Sequence, residues 1–188
     1  MNMDDDLRRA VAETQERLRA GGADVKWVRP EGMHVTLKFL GEVDEARLPE
    51  IEGAVRAAVT DIAPFRLRLE GVGGFPSAIA PRVVWAGVVE GAQELAELAR
   101  RIETALEPLG FERERREFSG HVTLGRARTP RGRDGLVAIM REAREQPFGE
   151  MEVRRVELMR SDLRPTGPIY TSQREFELSG SQTGQGEG

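Results

Sequence analysis

The chain has 188 residues, 39% hydrophobic and 32% charged, with a formal net charge of −4; this is the profile of an ordinary globular protein, long enough for one well-cored domain or two small intimate lobes. Cysteine is absent, which excludes disulfides, thiolate nucleophiles and cysteine-ligated zinc. The acidic balance speaks against broad binding to duplex DNA. No apolar run approaches the ~20 residues of a membrane span, and the acidic start Met1-Asn2-Met3-Asp4-Asp5-Asp6 lacks the layout of a secretory signal, so a cytoplasmic protein with no membrane partner is expected.

Taken in order, Leu7, Val11, Gln15 and Leu18 recur at helical spacing and predict a helix over 5–20, stopped by Gly21-Gly22. A short strand follows at Val25 to Val28, a turn at Pro30-Glu31-Gly32, and a strand beginning at His34. Asp44 is placed to cap a second helix carrying Leu48, Ile51, Val55 and Val59. Phe65, Leu67 and Leu69 alternate with charges as in a half-buried strand, and the glycine-rich Gly71 to Pro76 stretch reads as a loop. Then come a strand at Arg82 to Val89 and a helix with Leu95, Leu98, Ile102 and Leu106. An extended segment from Phe111 to Phe118 leads to a strand beginning at His121. A helix around Leu136, Ile139, Met140 and Ala143 leads to a strand over Met151 to Arg160 and a closing strand over 170–178, and the Gly/Ser/Gln-rich 179–188 reads as a disordered tail.

The only two histidines open the same tetrapeptide, His34-Val35-Thr36-Leu37 and His121-Val122-Thr123-Leu124, and Gly22 and Gly110 precede them at nearly equal distance. This is an internal repeat: about 5–76, then about 82–161. In a strand His34 and Thr36 share one face while Val35 and Leu37 take the other, and likewise in the second motif. Each motif therefore offers an imidazole and a hydroxyl over a cleft, with its apolar face in the core. The expected architecture is α+β and bilobal, with two pseudo-symmetric lobes of antiparallel sheet flanking a central cleft and helices outside, the whole of 1–178 forming one domain. Trp85 lies thirty-six residues before His121, whereas the equivalent distance before His34 falls ahead of Met1. The first strand of one lobe is thus expected to be missing, leaving an unpaired edge or a gap.

Two groups that titrate near neutrality, flanking one centre, suit general acid–base catalysis, and threonine hydroxyls can donate to phosphate oxygens. Neither motif contains a carboxylate to complete a metal shell, so no metal or cofactor is expected. The arginines Arg126, Arg128, Arg131 and Arg133, with Arg113, Arg115 and Arg116 before the second motif, offer a positive rim to a phosphate-bearing substrate.

The extended segments His34-Val35-Thr36-Leu37-Lys38-Phe39-Leu40-Gly41 and His121-Val122-Thr123-Leu124-Gly125-Arg126 resemble the two signatures of the 2H phosphoesterase superfamily, most closely the RNA 2′,3′-cyclic phosphodiesterases, or 2′-5′ RNA ligase-like proteins. The likeness runs from the first helix to about Leu178 and includes Trp27-Val28-Arg29-Pro30 and Gly74-Phe75-Pro76. It implies metal-independent hydrolysis of RNA 3′ ends carrying a 2′,3′-cyclic phosphate, leaving a 2′-phosphate. His34 would be the proton donor and His121 the proton acceptor, with Thr36, Thr123 and Arg126 on the phosphate. In a regular strand Arg126 points away from His121, so it reaches the cleft only if the strand bulges at Gly125. Lys38 has cleft parity and is a lesser phosphate candidate; Phe39 has core parity, making packing a better expectation than base stacking. The alternatives are 2′-5′ ligation by the reverse reaction, hydrolysis of small cyclic nucleotides, and a non-catalytic RNA-end binder. The expected state is a monomer with an edge strand open to association.

Overall fold

A computed structural model describes residues 1–164 and 167–181. The apolar stripe Leu7, Val11, Leu18 is buried along α1, Asp5–Ala20, and Gly21 and Gly22 close it by donating to the carbonyls of Leu18 and Arg19. The expected stripe Ile51, Val55, Val59 is buried along α2, Leu48–Val59; Asp44 caps the 3-10 turn ahead of it by accepting from the Ala46 N–H at 2.9 Å. Helix α3, Ala92–Leu106, likewise buries its expected apolar positions; α4, Arg133–Glu142, buries Leu136 and Met140, with Ile139 half-buried and Ala143 buried just past its end.

Among the described residues, seven strands form two antiparallel sheets: β1 (Val25–Trp27), β2 (Phe65–Phe75), β3 (Val83–Glu90), β4 (His121–Ala127), β5 (Pro147–Val153), β6 (Arg155–Arg164) and β7 (Gly167–Glu177). One sheet has the order β1-β4-β3-β2-β5; the other is the β6-β7 hairpin. Helices α1 and α4 pack together, α1 also against β5, while α2 packs against α3 and β7. No helix among the described residues is long and apolar enough to cross a membrane.

Four local expectations are corrected. The sequence halves are not the two sheets, because β1 of the first half pairs with β4 of the second. The segment expected as one strand over 151–160 is two, parting at Arg154, where the chain leaves the large sheet for the hairpin. Gly71 to Phe75 is not a loop but the end of β2, paired with β3. A Cβ at Gly73 would lie 2.2 Å from the Trp85 ring, so glycine there makes room for the indole in the sheet face rather than marking a turn. The 111–118 segment contains no strand.

The first motif is not a full strand either. His34 and Val35 form isolated bridges, Asn2 to His34 and Val35 to Val122. Met1 to Met3 flank this segment without forming a strand and reach β6 through Asn2 Nδ2, which donates to Glu157 Oε2 at 2.6 Å. The Met1 amino group donates to the Val35 carbonyl and the Val35 N–H to that of Met1, both at 3.1 Å, and a cavity of about 290 Å³ is lined by Met1–Asp4, Met151–Arg155 and Glu157. At the other end, Ser179 Oγ donates to the Thr60 carbonyl at 2.7 Å and the Gly180 N–H to that of Ile62 at 2.9 Å. Of the expected tail, residues 182–188 lie outside the described residues.

Candidate active site

The Val35–Val122 bridge joins the two motifs edge to edge. In antiparallel pairing at this point, His34 comes opposite Thr123 and Thr36 opposite His121. Val35 and Val122 are both 0% exposed, so the four polar side chains share the other face, the one turned from the core. The duplicated tetrapeptide thereby becomes a two-by-two patch in which each imidazole neighbours the other motif's hydroxyl.

The imidazoles are wired alike. His34 Nδ1 lies 2.8 Å from the Gly32 carbonyl oxygen and His121 Nδ1 lies 2.7 Å from that of Ser119. A carbonyl only accepts, so Nδ1 carries the proton in the neutral ring and Nε2 keeps its lone pair for chemistry. Each ring also meets an aromatic side chain edge-on: Tyr170 of β7 at 4.7 Å for His34, Phe75 of β2 at 5.1 Å for His121. Burial pushes the pKa of His34 below its ordinary value, against the opposing pull of the Gly32 carbonyl and the more distant Glu157 carboxylate.

Arg126 reaches the same face as the histidines. On β3, Val83, Trp85 and Gly87 alternate with the buried Val84 and Ala86, and their partners on β4 are Arg126, Thr123 and His121. The register slips between Val84 and Trp85, leaving one extra residue on β4 between Thr123 and Gly125. Leu124 and Gly125 are consequently buried side by side and Arg126 is exposed. This is the bulge that the parity of Arg126 requires. Gly125 suits it, since a Cβ there would fall 2.6 Å from Val25 Cγ1 and 2.8 Å from Trp27 Cε3.

The bulge is held from behind by a residue that the sequence pattern placed in an apolar stripe. Gln15 of α1 is 0% exposed. Its Nε2 donates to the Leu124 carbonyl at 2.8 Å and the Val28 carbonyl at 2.7 Å, while the Val28 N–H donates to the same Leu124 carbonyl at 2.9 Å. A polar residue within a buried helical stripe was the available signal. Tyr170, Phe75 and Trp85 were also missed as neighbours of the site; nothing local in their segments points to a histidine.

Lys38 and Phe39 do not behave as expected. The chain bends at Leu37 and leaves strand geometry there, so alternation no longer fixes direction. The Lys38 side chain, 5% exposed, pairs with Glu103 of α3 at 3.0 Å and donates to the Glu112 carbonyl. The Glu103 carboxylate also accepts from the Glu114 N–H at 2.9 Å. Lys38 is thus a strut between the first motif and the segment leading to His121. Phe39 is 72% exposed rather than packed in the core. Of the expected basic rim, Arg113 is paired with Glu107 at 2.8 Å and Arg128 lies 4.0 Å from Asp24.

Two antiparallel sheets joined through paired H-x-T segments define a scaffold of the two-histidine phosphoesterase type. The chain belongs to the 2′-5′ RNA ligase superfamily, whose family model matches residues 4–165. It is 42% identical over 177 residues to a protein of Archaeoglobus fulgidus named RNA 2′,3′-cyclic phosphodiesterase, covering 94% of this chain and 97% of that relative. A protein of the same name from Methanothermobacter thermautotrophicus is 39% identical over 178 residues, 95% of this chain and 96% of its own length. Among solved structures, TT0787 of Thermus thermophilus superposes with a TM-score of 0.76 at 33% identity, covering 95% of this chain and 94% of its own. Apo LigT of E. coli gives 0.75 at 20% identity, covering 95% and 94%, a likeness of fold.

Proposed function

We propose that this protein hydrolyses RNA 3′ ends carrying a 2′,3′-cyclic phosphate to 2′-phosphate ends, by acid–base catalysis with His34 and His121. The observation that carries the reading is the Val35–Val122 bridge, which gathers two imidazoles with free Nε2 atoms and two hydroxyls on one face. The names borne by the relatives at 42% and 39% identity support the choice of substrate.

In this reading His121 Nε2 takes a proton from water as its oxygen attacks phosphorus. The P–O3′ bond breaks, and His34 Nε2–H gives its proton to O3′, leaving a 3′-hydroxyl and a 2′-phosphate. Thr36 and Thr123 donate to the non-bridging oxygens, and the Arg126 guanidinium meets the charge that accumulates there. A depressed pKa leaves His34 short of its proton in the free protein. The negative charge of a bound phosphodiester raises that pKa, so substrate binding loads the acid.

The test is a short RNA with a 2′,3′-cyclic end, its product identified by phosphorus NMR. A 2′-phosphate is expected, from a bell-shaped pH–rate profile that chelators leave intact. His34→Ala and His121→Ala should each lose at least ~10²-fold in turnover while remaining folded. A 3′-phosphate product, or near-wild-type turnover in either variant, overturns the assignment. A 5′-hydroxyl RNA added to the same assay reports 2′-5′ joining, in which that hydroxyl takes the place of water and the P–O3′ bond breaks with the same two proton transfers.

A further inference from the structure

Resting on that reading and extending it, we propose that Lys26, with Arg126 beside it, forms a second anion subsite. It takes the phosphodiester adjacent to the terminal nucleotide, so the protein favours an oligoribonucleotide end over a cyclic mononucleotide.

The argument begins with register. Lys26 of β1 is the direct partner of Arg126 on β4, and residues directly opposite share a face of the sheet. Its neighbours Val25 and Trp27 flank Gly125 on the opposite, core side. Lys26 therefore stands on the face that carries Arg126, Thr123 and His121, one strand spacing (~4.8 Å) beyond the arginine. Both cations are exposed.

Like charges directly opposite one another destabilise a strand pair; where Glu157 faces Glu175 across β6–β7, Asn2 and Arg155 offset the repulsion, and several arginines of these sheets meet a carboxylate across the strands. Arg68 faces Glu90 across β2–β3 and contacts it at 3.6 Å. Arg66 is paired with Glu150 across β2–β5 at 3.4 Å, and Arg155 with Glu175 across β6–β7 at 3.5 Å. Among the described residues, the Lys26–Arg126 pair carries no such carboxylate. The acid two residues upstream, Asp24, accepts from Thr129 Oγ1 at 3.0 Å and sits beside Arg128. The other lysine, Lys38, is sealed against Glu103. Two uncompensated cations are thus held side by side, one turned to this face by a bulge, next to the patch that would hold the reacting phosphate. An anion placed between them relieves the repulsion. An oligonucleotide bound by its cyclic end brings such an anion with it, and a mononucleotide does not.

The experiment compares wild type with Lys26→Gln and Lys26→Arg on cytidine 2′,3′-cyclic phosphate and on a dinucleotide ending in the same group. In Lys26→Gln the preference for the dinucleotide, the ratio of the two kcat/KM values, should fall about 10-fold, mostly through KM. Lys26→Arg should restore it. The salt dependence of log(kcat/KM) for the dinucleotide should lose about 0.7 of slope. Titration of the product dinucleotide ending in a 2′-phosphate, against the corresponding 2′-mononucleotide, reads the subsite without turnover and should show the same selective loss. Equal losses on both substrates, or none on either, overturn the subsite. If wild type bound the dinucleotide in a Lys26-dependent way yet turned over neither substrate, the proposed reaction would fall and the subsite would stand.

Discussion

Gln15→Met tests whether the bulge that turns Arg126 is held in place or merely tolerated. The substitution keeps roughly the volume of a side chain that is 0% exposed, so packing changes little. What it removes is the two hydrogen bonds donated to Val28 and Leu124 and a long one accepted from Arg19 at 3.4 Å. The Leu124 carbonyl still accepts from the Val28 N–H, but the Val28 carbonyl loses this donor in a part-buried setting. A hydrogen bond contributes about 0.5–1.5 kcal/mol net, and a buried polar atom left unsatisfied costs about 1–3 kcal/mol. The expected loss is therefore about 2–3 kcal/mol. For a chain of this size each kcal/mol moves the melting temperature by about 2–4 °C, giving a fall of roughly 4–12 °C by calorimetry or circular dichroism.

Stability alone would not separate the bulge from any other core defect, so activity is read well below the melting temperature. There Gln15→Met should lower kcat/KM about 10-fold, the loss of one charge-assisted phosphate contact. Val59→Ala, in a buried position of α2, supplies a destabilised control that should keep its activity. Adding Arg126→Gln to Gln15→Met should cost little more than either change alone, because both remove the same contact. Fully additive losses, or a Gln15→Met protein as stable and active as wild type, would refute the link between Gln15 and Arg126.

Lys38→Met leaves Glu103 without its partner in a largely enclosed site. A loss of about 3 kcal/mol is expected, with faster amide exchange over 112–120 because Glu103 also holds the Glu114 N–H. Gly125→Ala drives a methyl to 2.6 Å from Val25 Cγ1 and should cost about 1–3 kcal/mol in urea denaturation. Because burial depresses the His34 pKa below 6.5, the unfolded chain binds that proton first as pH falls. The contribution of His34 to stability is complete above about pH 6.5 and is lost as pH falls from there through the folded-state value; His34→Gln should flatten the stability profile across that interval.

What the sequence made legible was whatever local geometry decides. Helical stripes such as Ile51, Val55, Val59 and the alternation of His121-Val122-Thr123 are consequences of fixed periods, and they recur in the fold. The bulge was legible as a condition, since Arg126 needed one and Gly125 stood where it could form. Distant contacts were not. Lys38 follows strand parity only while the chain stays a strand; after Thr36 it does not, and an acid sixty-five residues away claims the ammonium. The run through Gly73 read as a loop because the space glycine leaves is filled by Trp85 from another strand. Arg154 interrupts no pattern, yet the chain changes sheets there, a decision made by the partners of β5 and β6.

The same logic explains how a duplicated tetrapeptide can yield an unequal pair of imidazoles. An acid and a base acting in one step must differ in protonation, and identical motifs with identical Nδ1 contacts cannot supply that difference. The surroundings can. His121 opens β4 inside a five-stranded sheet, against Phe75. His34 lies on a segment bridged to Asn2 on one side and followed by Val35 bridged to Val122. It sits against Tyr170 of the hairpin, where burial pushes it toward the neutral form in the free protein, so in the proposed reaction it holds the proton it donates only once the anionic phosphodiester is bound. The pseudo-symmetry sets the spacing of the two groups; the dissimilar sheets behind them set their chemistry. Exchanging the motifs would change nothing, since their four letters are the same. Exchanging the flanking contacts, Tyr170 and Phe75, is therefore the substitution that should move the two limbs of the pH–rate profile relative to one another.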